Sequence, residues 1–243
     1  NYLIIKYFIP FSVVQICTTY IKIIFLYCTL MLNINAESIS QAWTKSFLAL
    51  FNSKPSFDSE LFREETLILE INYNDDNKNY HPLFPMKKEL VDEYNHFILN
   101  GGEPKSVLPE HALYHQRIFA SNQVEWAIHK LKSRPNTKRA QVSVWIPQID
   151  QYSEKSPCLQ LLWFRELDGK LEMHAHMRAN DGYKKLLMNL NIFSEVQKYV
   201  ANKLQLEVGK YIHFVDSFHF YEEDKDRIMA LKEEFEKENE SLR

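Results

Sequence analysis

The chain has 243 residues, 45% hydrophobic and 14% aromatic, with 29 basic and 32 acidic side chains and a formal net charge of -3. That length and apolar share suit one globular body with a substantial core. The near-balanced charge offers no basic field for nucleic acid or an anionic membrane surface. The five glycines form neither a GxGxxG fingerprint nor a P-loop, so an anionic ligand would be held by arginine and lysine side chains.

Residues 1–30 are rich in Ile, Phe, Tyr and Leu, and the first methionine is Met31. One reading is a signal peptide or anchor, with Lys22 ahead of an apolar run over 23–32 and a small residue at Ala36. That run is short for a membrane span. The reading we adopt is an apolar N-terminal extension outside the mature protein, followed by one folded domain over 31–243. Cys17 and Cys28 lie in the extension, which leaves Cys158 alone in the body. Three cysteines make no disulfide framework and suit a reducing cytoplasm.

Along the body, Trp43, Phe47, Leu48 and Phe51 are spaced for a helix over 40–51, capped by Ser38 or Ser40. Residues 65–73 alternate like a strand, and 74–81 read as a polar loop. A helix is predicted over 86–99, ending at Gly101-Gly102. Another is predicted over 121–132, with Ser121 as N-cap and Val124, Ile128 and Leu131 on one face. Strands follow at 139–146, 158–167 and 170–178, the last two flanking the hairpin dipeptide Asp168-Gly169. A long helix over 181–204 would bury Leu186, Leu190, Phe193, Val196 and Val200. A strand over 211–221 and a charged helix over 225–240 complete an α+β pattern with largely antiparallel strands.

Four groups in the second half carry possible chemistry. Lys138-Arg139 starts a strand, where a basic pair is ordinarily a solvated strand end. Cys158 opens a hairpin whose far arm carries Arg178. A lone cysteine is ordinarily a small core residue, but one beside cationic side chains favours the thiolate, the form that acts as a nucleophile. Arg178-Ala179-Asn180-Asp181 leads into the long helix, where Asp181 is most simply an N-cap. Ser217, His219 and Tyr221 share one strand face by period-two geometry, with Phe218 and Phe220 on the other. Such a polar row suits a hydroxylated ligand, or an ordinary exposed sheet face.

The order and spacing of these groups resemble the thymidylate synthase family. The resemblance rests on the Cys158-to-Arg178 interval with its Asp-Gly-Lys turn, on Arg178-x-x-Asp181 with Asn189 eight residues later, and on His219-Phe220-Tyr221. The basic pair before Ala-Gln-Val-Ser-Val-Trp and the short link from Gln205 to Gly209 also fit. The match is best to the shorter, archaeal-like branch and spans 114–222. Departures are Ala179 where serine is usual, Leu159 in place of a histidine, and Lys138 in place of an arginine.

The resemblance implies a bent, mostly antiparallel sheet packed by helices, and a homodimer through the sheet. It implies dUMP and 5,10-methylenetetrahydrofolate as substrates, and no metal. The Cys158 thiolate would add to C6 of the uracil, and C5 would then take up the one-carbon unit, giving dTMP and dihydrofolate. Arg178 would grip the phosphate together with Lys138 and Arg139 of a partner subunit. His219 and Tyr221 would bond the sugar hydroxyl, Asp181 the pterin, and Tyr114 would assist proton transfer at C5. A phosphate-binding arginine from the N-terminal half would be Arg63; the resemblance places neither the catalytic glutamate nor the folate wall, and Glu89 and Glu93 lie in a helix that it does not match to a family element. The only nucleic acid it implies as a partner is the protein's own messenger RNA; membranes are not implied. An amide at 189, or at Asn191 if the helix carries an insertion, matches the N3–H and O4 of uracil better than cytosine. Two alternatives stay open: a dCMP or CMP hydroxymethylase on the same fold, and a non-catalytic nucleotide- or RNA-binding paralogue.

One geometric obstacle remains. In a regular hairpin centred on Asp168-Gly169, Leu159 faces Arg178, so Cys158 and Arg178 point to opposite sides. Only a bulge would bring them together.

Overall fold

The computed structural model describes residues 31–73, 79–102 and 113–241. The N-terminal extension and most of the predicted 74–81 loop lie outside the described residues. Strand β1 (Met31–Ala36) leads into helix α1 (Ile39–Phe51). Ser38 caps α1 by accepting from the Gln41 N–H at 3.2 Å. Its apolar stripe, Ile39, Ala42, Trp43, Phe47 and Leu50, is wholly buried. Strand β2 spans Leu61–Ile71, beginning earlier than predicted, and helix α2 spans Lys88–Asn100 and ends at Gly101.

A π-helical turn (Gln116–Ala120) precedes helix α3 (Gln123–Ser133). Ser121 is not the N-cap of α3. It belongs to the end of the π turn, where its Oγ donates to the Arg117 carbonyl at 2.5 Å, and Asn122 takes the cap position with a left-handed backbone, φ 61°. The strand predicted over 139–146 shortens to β3 (Gln141–Ser143). The chain then turns into the four-residue helix α4 (Pro147–Asp150), whose Asp150 accepts from the Ile146 N–H at 2.6 Å. Asp150 also forms a buried pair with Arg117, whose guanidinium donates to both carboxylate oxygens, at 2.5 and 2.9 Å, and to the Val144 carbonyl at 2.6 Å.

Strands β4 (Leu159–Leu167) and β5 (Lys170–Asp181) form the predicted hairpin. Asp168 and Gly169 both have positive φ, 51° and 76°. That is the geometry of a two-residue turn matched to strand twist, and it explains the Asp-Gly pair. Helix α5 (Leu186–Leu204) then carries the chain to β6 (Glu207–Tyr221), and helix α6 (Lys225–Ser241) closes the fold. The sheet order is β1-β2-β6-β5-β4-β3. β6 pairs antiparallel with β2 and parallel with β5, so the sheet is mixed. The parallel pair exists because α5 spans the crossover that parallel neighbours need. β6 starts four residues before the prediction because Glu207 and Val208 already pair with Lys170 and Leu171. Among the described residues, no helix is long and apolar enough to cross a membrane.

Gly182 is a tight joint between β5 and the helices. A Cβ there would meet Phe218 Cζ at 2.7 Å and Phe220 Cε1 at 3.0 Å, and the Gly182 carbonyl accepts from Trp43 Nε1 at 3.0 Å. The chain thus leaves β5 and turns toward α5 against a wall of buried aromatic rings.

Candidate active site

The bulge is present. From the turn inward, β4 and β5 pair regularly as far as Leu161 opposite His176; the next pair is Leu159 opposite Met177. Gln160 is the extra residue. Its carbonyl accepts from the N–H groups of Val144 (2.8 Å) and Trp145 (3.2 Å). Its side-chain amide donates to the carbonyls of Pro157 (3.1 Å) and Cys158 (3.3 Å). Cys158 therefore lies opposite Arg178, whose N–H donates to the Cys158 carbonyl at 2.9 Å. The Arg178 guanidinium reaches back to the same segment, donating through Nε to Pro157 O (3.3 Å) and through an Nη to Ser156 O (3.0 Å).

Cys158 forms no disulfide and is half-buried. It lines a cavity of about 530 Å³ together with Tyr114, Arg178, Asp181, Asn189, His219 and Tyr221. That volume suits a small organic ligand such as a nucleotide.

Tyr114 is buried, and its Oη accepts from the Leu159 N–H at 3.2 Å. Burial, and then the neighbouring Cys158, push its phenol far above the ordinary range. His219 turns Nδ1 to the Ser217 carbonyl at 3.0 Å, and its buried Nε2 has no partner. Tyr221 packs edge-on against the His219 ring, with centroids 4.8 Å apart. Its phenol is also raised, first by burial and then by Asp181 and Cys158.

Asp181 does not begin the long helix. It ends β5, and α5 starts only at Leu186. The carboxylate still caps a turn, because Oδ1 accepts from the N–H groups of Tyr183 (2.8 Å) and Lys184 (3.0 Å). Burial raises its pKa above the ordinary carboxylate value despite those bonds. Asn189, not Asn191, faces the cavity. Asn191 is tied elsewhere, donating to Leu187 O at 2.9 Å and Asn79 O at 2.7 Å.

Three expected contributors are not in this cavity. Lys138 and Arg139 are exposed and line a separate hollow with Trp126 and Gln141. Arg63 is held at the start of β2, donating to Phe51 O (3.4 Å) and Phe62 O (2.8 Å), with its guanidinium over the Phe62 ring. Its donors serve the backbone there, and it is not among the residues lining the Cys158 cavity.

A second cavity, of about 660 Å³, is lined by Met86, Glu89, Leu90, Glu93 and Tyr183, and shares Lys184 and Lys185 with the first. Neither lysine was singled out from the sequence, although they follow directly on the Asp181-Gly182-Tyr183 turn. Burial opposes the charge on Lys184, yet the Asp224 carboxylate beside it, with Asp181, holds its pKa above the ordinary lysine value.

Known proteins resemble this chain over most of its folded body. The family model described as thymidylate synthase matches residues 86–242. A protein named "Putative thymidylate synthase" from Methanocaldococcus jannaschii is 30% identical over 208 residues, covering 79% of this chain and 91% of the relative. One of the same name from Methanosarcina acetivorans is 26% identical over 205 residues, covering 80% and 92%. A "Thymidylate synthase" from Oenococcus oeni is 27% identical over 107 residues, covering 44% of this chain and 34% of its own. Near-full coverage of the archaeal proteins, against a third of the bacterial one, fits a shorter, archaeal-like branch. With the match reaching over most of the folded body, the chain belongs to the thymidylate synthase family.

Proposed function

We propose that the protein is a thymidylate synthase that methylates dUMP at C5, with methylenetetrahydrofolate as co-substrate. The observation that carries this reading is the Gln160 bulge, which puts the only cysteine of the body across from Arg178 in a nucleotide-sized cavity. Arg178 does two things there. A cationic side chain on the residue that pairs opposite Cys158, lining the same cavity, favours the thiolate. Of its five N–H donors, two hold the Ser156-Pro157 backbone, and the others are available to a phosphate.

The remaining groups divide dUMP between them. His219 Nε2, an unpartnered acceptor, takes the hydrogen of the 3′-hydroxyl, with the Tyr221 hydroxyl beside it. The Asn189 Oδ1 is also buried without a partner, and it accepts from uracil N3–H. The thiolate of Cys158 adds to C6 of the ring; the electron pair of the C5–C6 double bond moves onto C5 and O4, making C5 nucleophilic. Tyr114, kept neutral by burial, presents its hydroxyl for proton transfer at C5.

Methylenetetrahydrofolate, when bound, supplies the one-carbon unit and the hydride. The second cavity fits it chemically: Met86 and Leu90 offer apolar contact, and Lys184 and Lys185 suit a carboxylate tail. The Asp181 carboxylate, on the wall of the Cys158 cavity that shares those two lysines, suits the N–H groups of a pterin. Glu89 and Glu93 on the same wall are the candidates for an acid near that ring.

The active form is a homodimer. Leu161, Trp163, His174, His176, Ile212 and Phe214 project from β4, β5 and β6 only half-buried, a sheet face that a second copy would cover. Lys138 and Arg139, remote from this chain's own sulfur, then complete the phosphate site of the partner. A reduced thiol of this kind belongs in the cytoplasm.

The test is to incubate the full chain with dUMP and methylenetetrahydrofolate and follow dihydrofolate. Formation of dihydrofolate with dTMP supports the reading. Turnover of dCMP in place of dUMP, or a hydroxymethyl product, rejects it.

A further inference from the structure

Asn189 is the last link of a buried polar chain. Its Nδ2 donates to Asn180 Oδ1 at 3.0 Å, Asn180 Nδ2 lies 3.1 Å from His213 Nε2, and His213 Nδ1 lies 2.8 Å from Tyr211 Oη. All four residues are buried: Asn189 and Asn180 are 4% and 3% exposed, and His213 and Tyr211 not at all. They come from three elements, α5, β5 and β6.

The direction of the chain is fixed at its Asn189 end. Met177 Sδ lies 3.8 Å from Asn189 Nδ2. A thioether sulfur only accepts, so the NH₂ side of the amide belongs against Met177 and Asn180. Asn180 must then offer its oxygen to Asn189 and its NH₂ to His213. His213 Nε2 must be the unprotonated nitrogen, and Nδ1–H must point to Tyr211. A neutral ring is required, and burial, with His176 second, pushes the His213 imidazole down to about 3. The atom left over at the far end is the unpartnered Asn189 Oδ1, on a residue that lines the nucleotide cavity.

We propose that Asn180 and His213 are positioning residues that lock the Asn189 amide with its oxygen toward the base, and so select uracil over cytosine. This rests on the dUMP reading above. Uracil presents N3–H to that oxygen, whereas cytosine presents a lone pair. Admitting cytosine would require Asn189 to turn over, setting its oxygen against Asn180 Oδ1 unless Asn180 and the His213 tautomer reversed as well. The choice of base is therefore held by the whole chain.

Two measurements test it. The first is nitrogen-15 NMR of the His213 imidazole in the ligand-free full-length protein. The Nδ1–H tautomer is expected; an Nε2–H tautomer or an imidazolium at neutral pH overturns the inference, whatever the substrate. The second is calorimetric binding of dUMP and dCMP to the wild type, Asn180→Ala and Asn180→Asp. Alanine releases the amide, and the dUMP-to-dCMP preference falls by about tenfold, the worth of one buried hydrogen bond. Aspartate keeps an acceptor facing Asn189 and restores most of the preference, with His213 moved to its Nε2–H form. A merely structural role for Asn180 would weaken both nucleotides alike; an unchanged ratio in Asn180→Ala with dUMP still preferred overturns the inference alone. Wild-type protein that binds neither nucleotide overturns the substrate reading, and base selection with it. Should Asn180→Ala fail to fold, the wild-type tautomer decides.

Discussion

Arg178→Ala separates the two jobs assigned to that guanidinium. The side chain is exposed and makes two bonds to backbone carbonyls, at 3.0 and 3.3 Å. Bonds of that length at the surface lie at the low end of the usual range, about 0.5 kcal/mol each. Losing both loosens the Cys158 segment by about 1 kcal/mol, or roughly fivefold in the affinity of any ligand that needs it ordered. A charge-assisted bond to phosphate is worth more, about 1.5–3 kcal/mol, or roughly 10- to 150-fold. Deoxyuridine, which has no phosphate, should therefore lose only roughly fivefold on Arg178→Ala, whereas dUMP loses the product of both factors. Titration calorimetry of the two ligands at one fixed ionic strength reads the difference, and constant salt matters because the phosphate contribution is screened. Arg178→Lys should recover part of the dUMP loss, since lysine keeps the charge but not the fork. Equal losses for dUMP and deoxyuridine would show that Arg178 does not touch the phosphate, and the assignment would fall.

Cys158→Ser should abolish the covalent adduct with 5-fluoro-dUMP and folate, seen as a mass increase, while shifting unfolding stability by less than about 1 kcal/mol. Asp150→Ala strands the buried Arg117 cation and should cost about 3–5 kcal/mol in urea unfolding. Arg117, followed by the Ile146 N–H against the opposing effect of burial, holds the Asp150 carboxyl below its ordinary pKa. Its contribution is therefore complete above the unfolded carboxylate value and is lost as pH falls through the depressed folded value, so the gap between wild type and Asp150→Ala should narrow in acid. Gly182→Ala should destabilise by about 1–3 kcal/mol in the same assay, because its methyl group would overlap Phe218 and Phe220.

Much of this fold was legible because local chemistry decided it. Asp168-Gly169 announced a turn that needs two positive φ values, and the spacing of Trp43, Phe47, Leu48 and Phe51 after Ser38 or Ser40 announced a capped helix, whose cap is Ser38. The polar row of Ser217, His219 and Tyr221 needed only the period of a strand. Elsewhere tertiary context prevailed. Asp181 looks like a helix cap, and it does cap N–H groups, but pairing of Asn180 and Asp181 with Phe218 and His219 extends β5 through it. Ser121 and Asn122 are both acceptable caps, and the π turn before them made the choice. The Gln160 bulge had no local signature. It follows from Val144 and Trp145 sharing one carbonyl on β4 and from a glutamine holding two others, contacts that no window of sequence displays. The chain from Asn189 to Tyr211 was missed because its members come from three separate elements, with nothing to link them along the sequence.

The position of β6 between β2 and β5 bears on how the protein is made. Leu61 pairs with Tyr221, so the N-terminal strands are synthesised long before their neighbour. On the ribosome β1 and β2 have an open hydrogen-bonding edge until almost the last residues emerge, while β4 and β5 can zip locally. Nascent chains stalled short of β6 should bind holdase chaperones through that edge, and release should coincide with the appearance of the final strand.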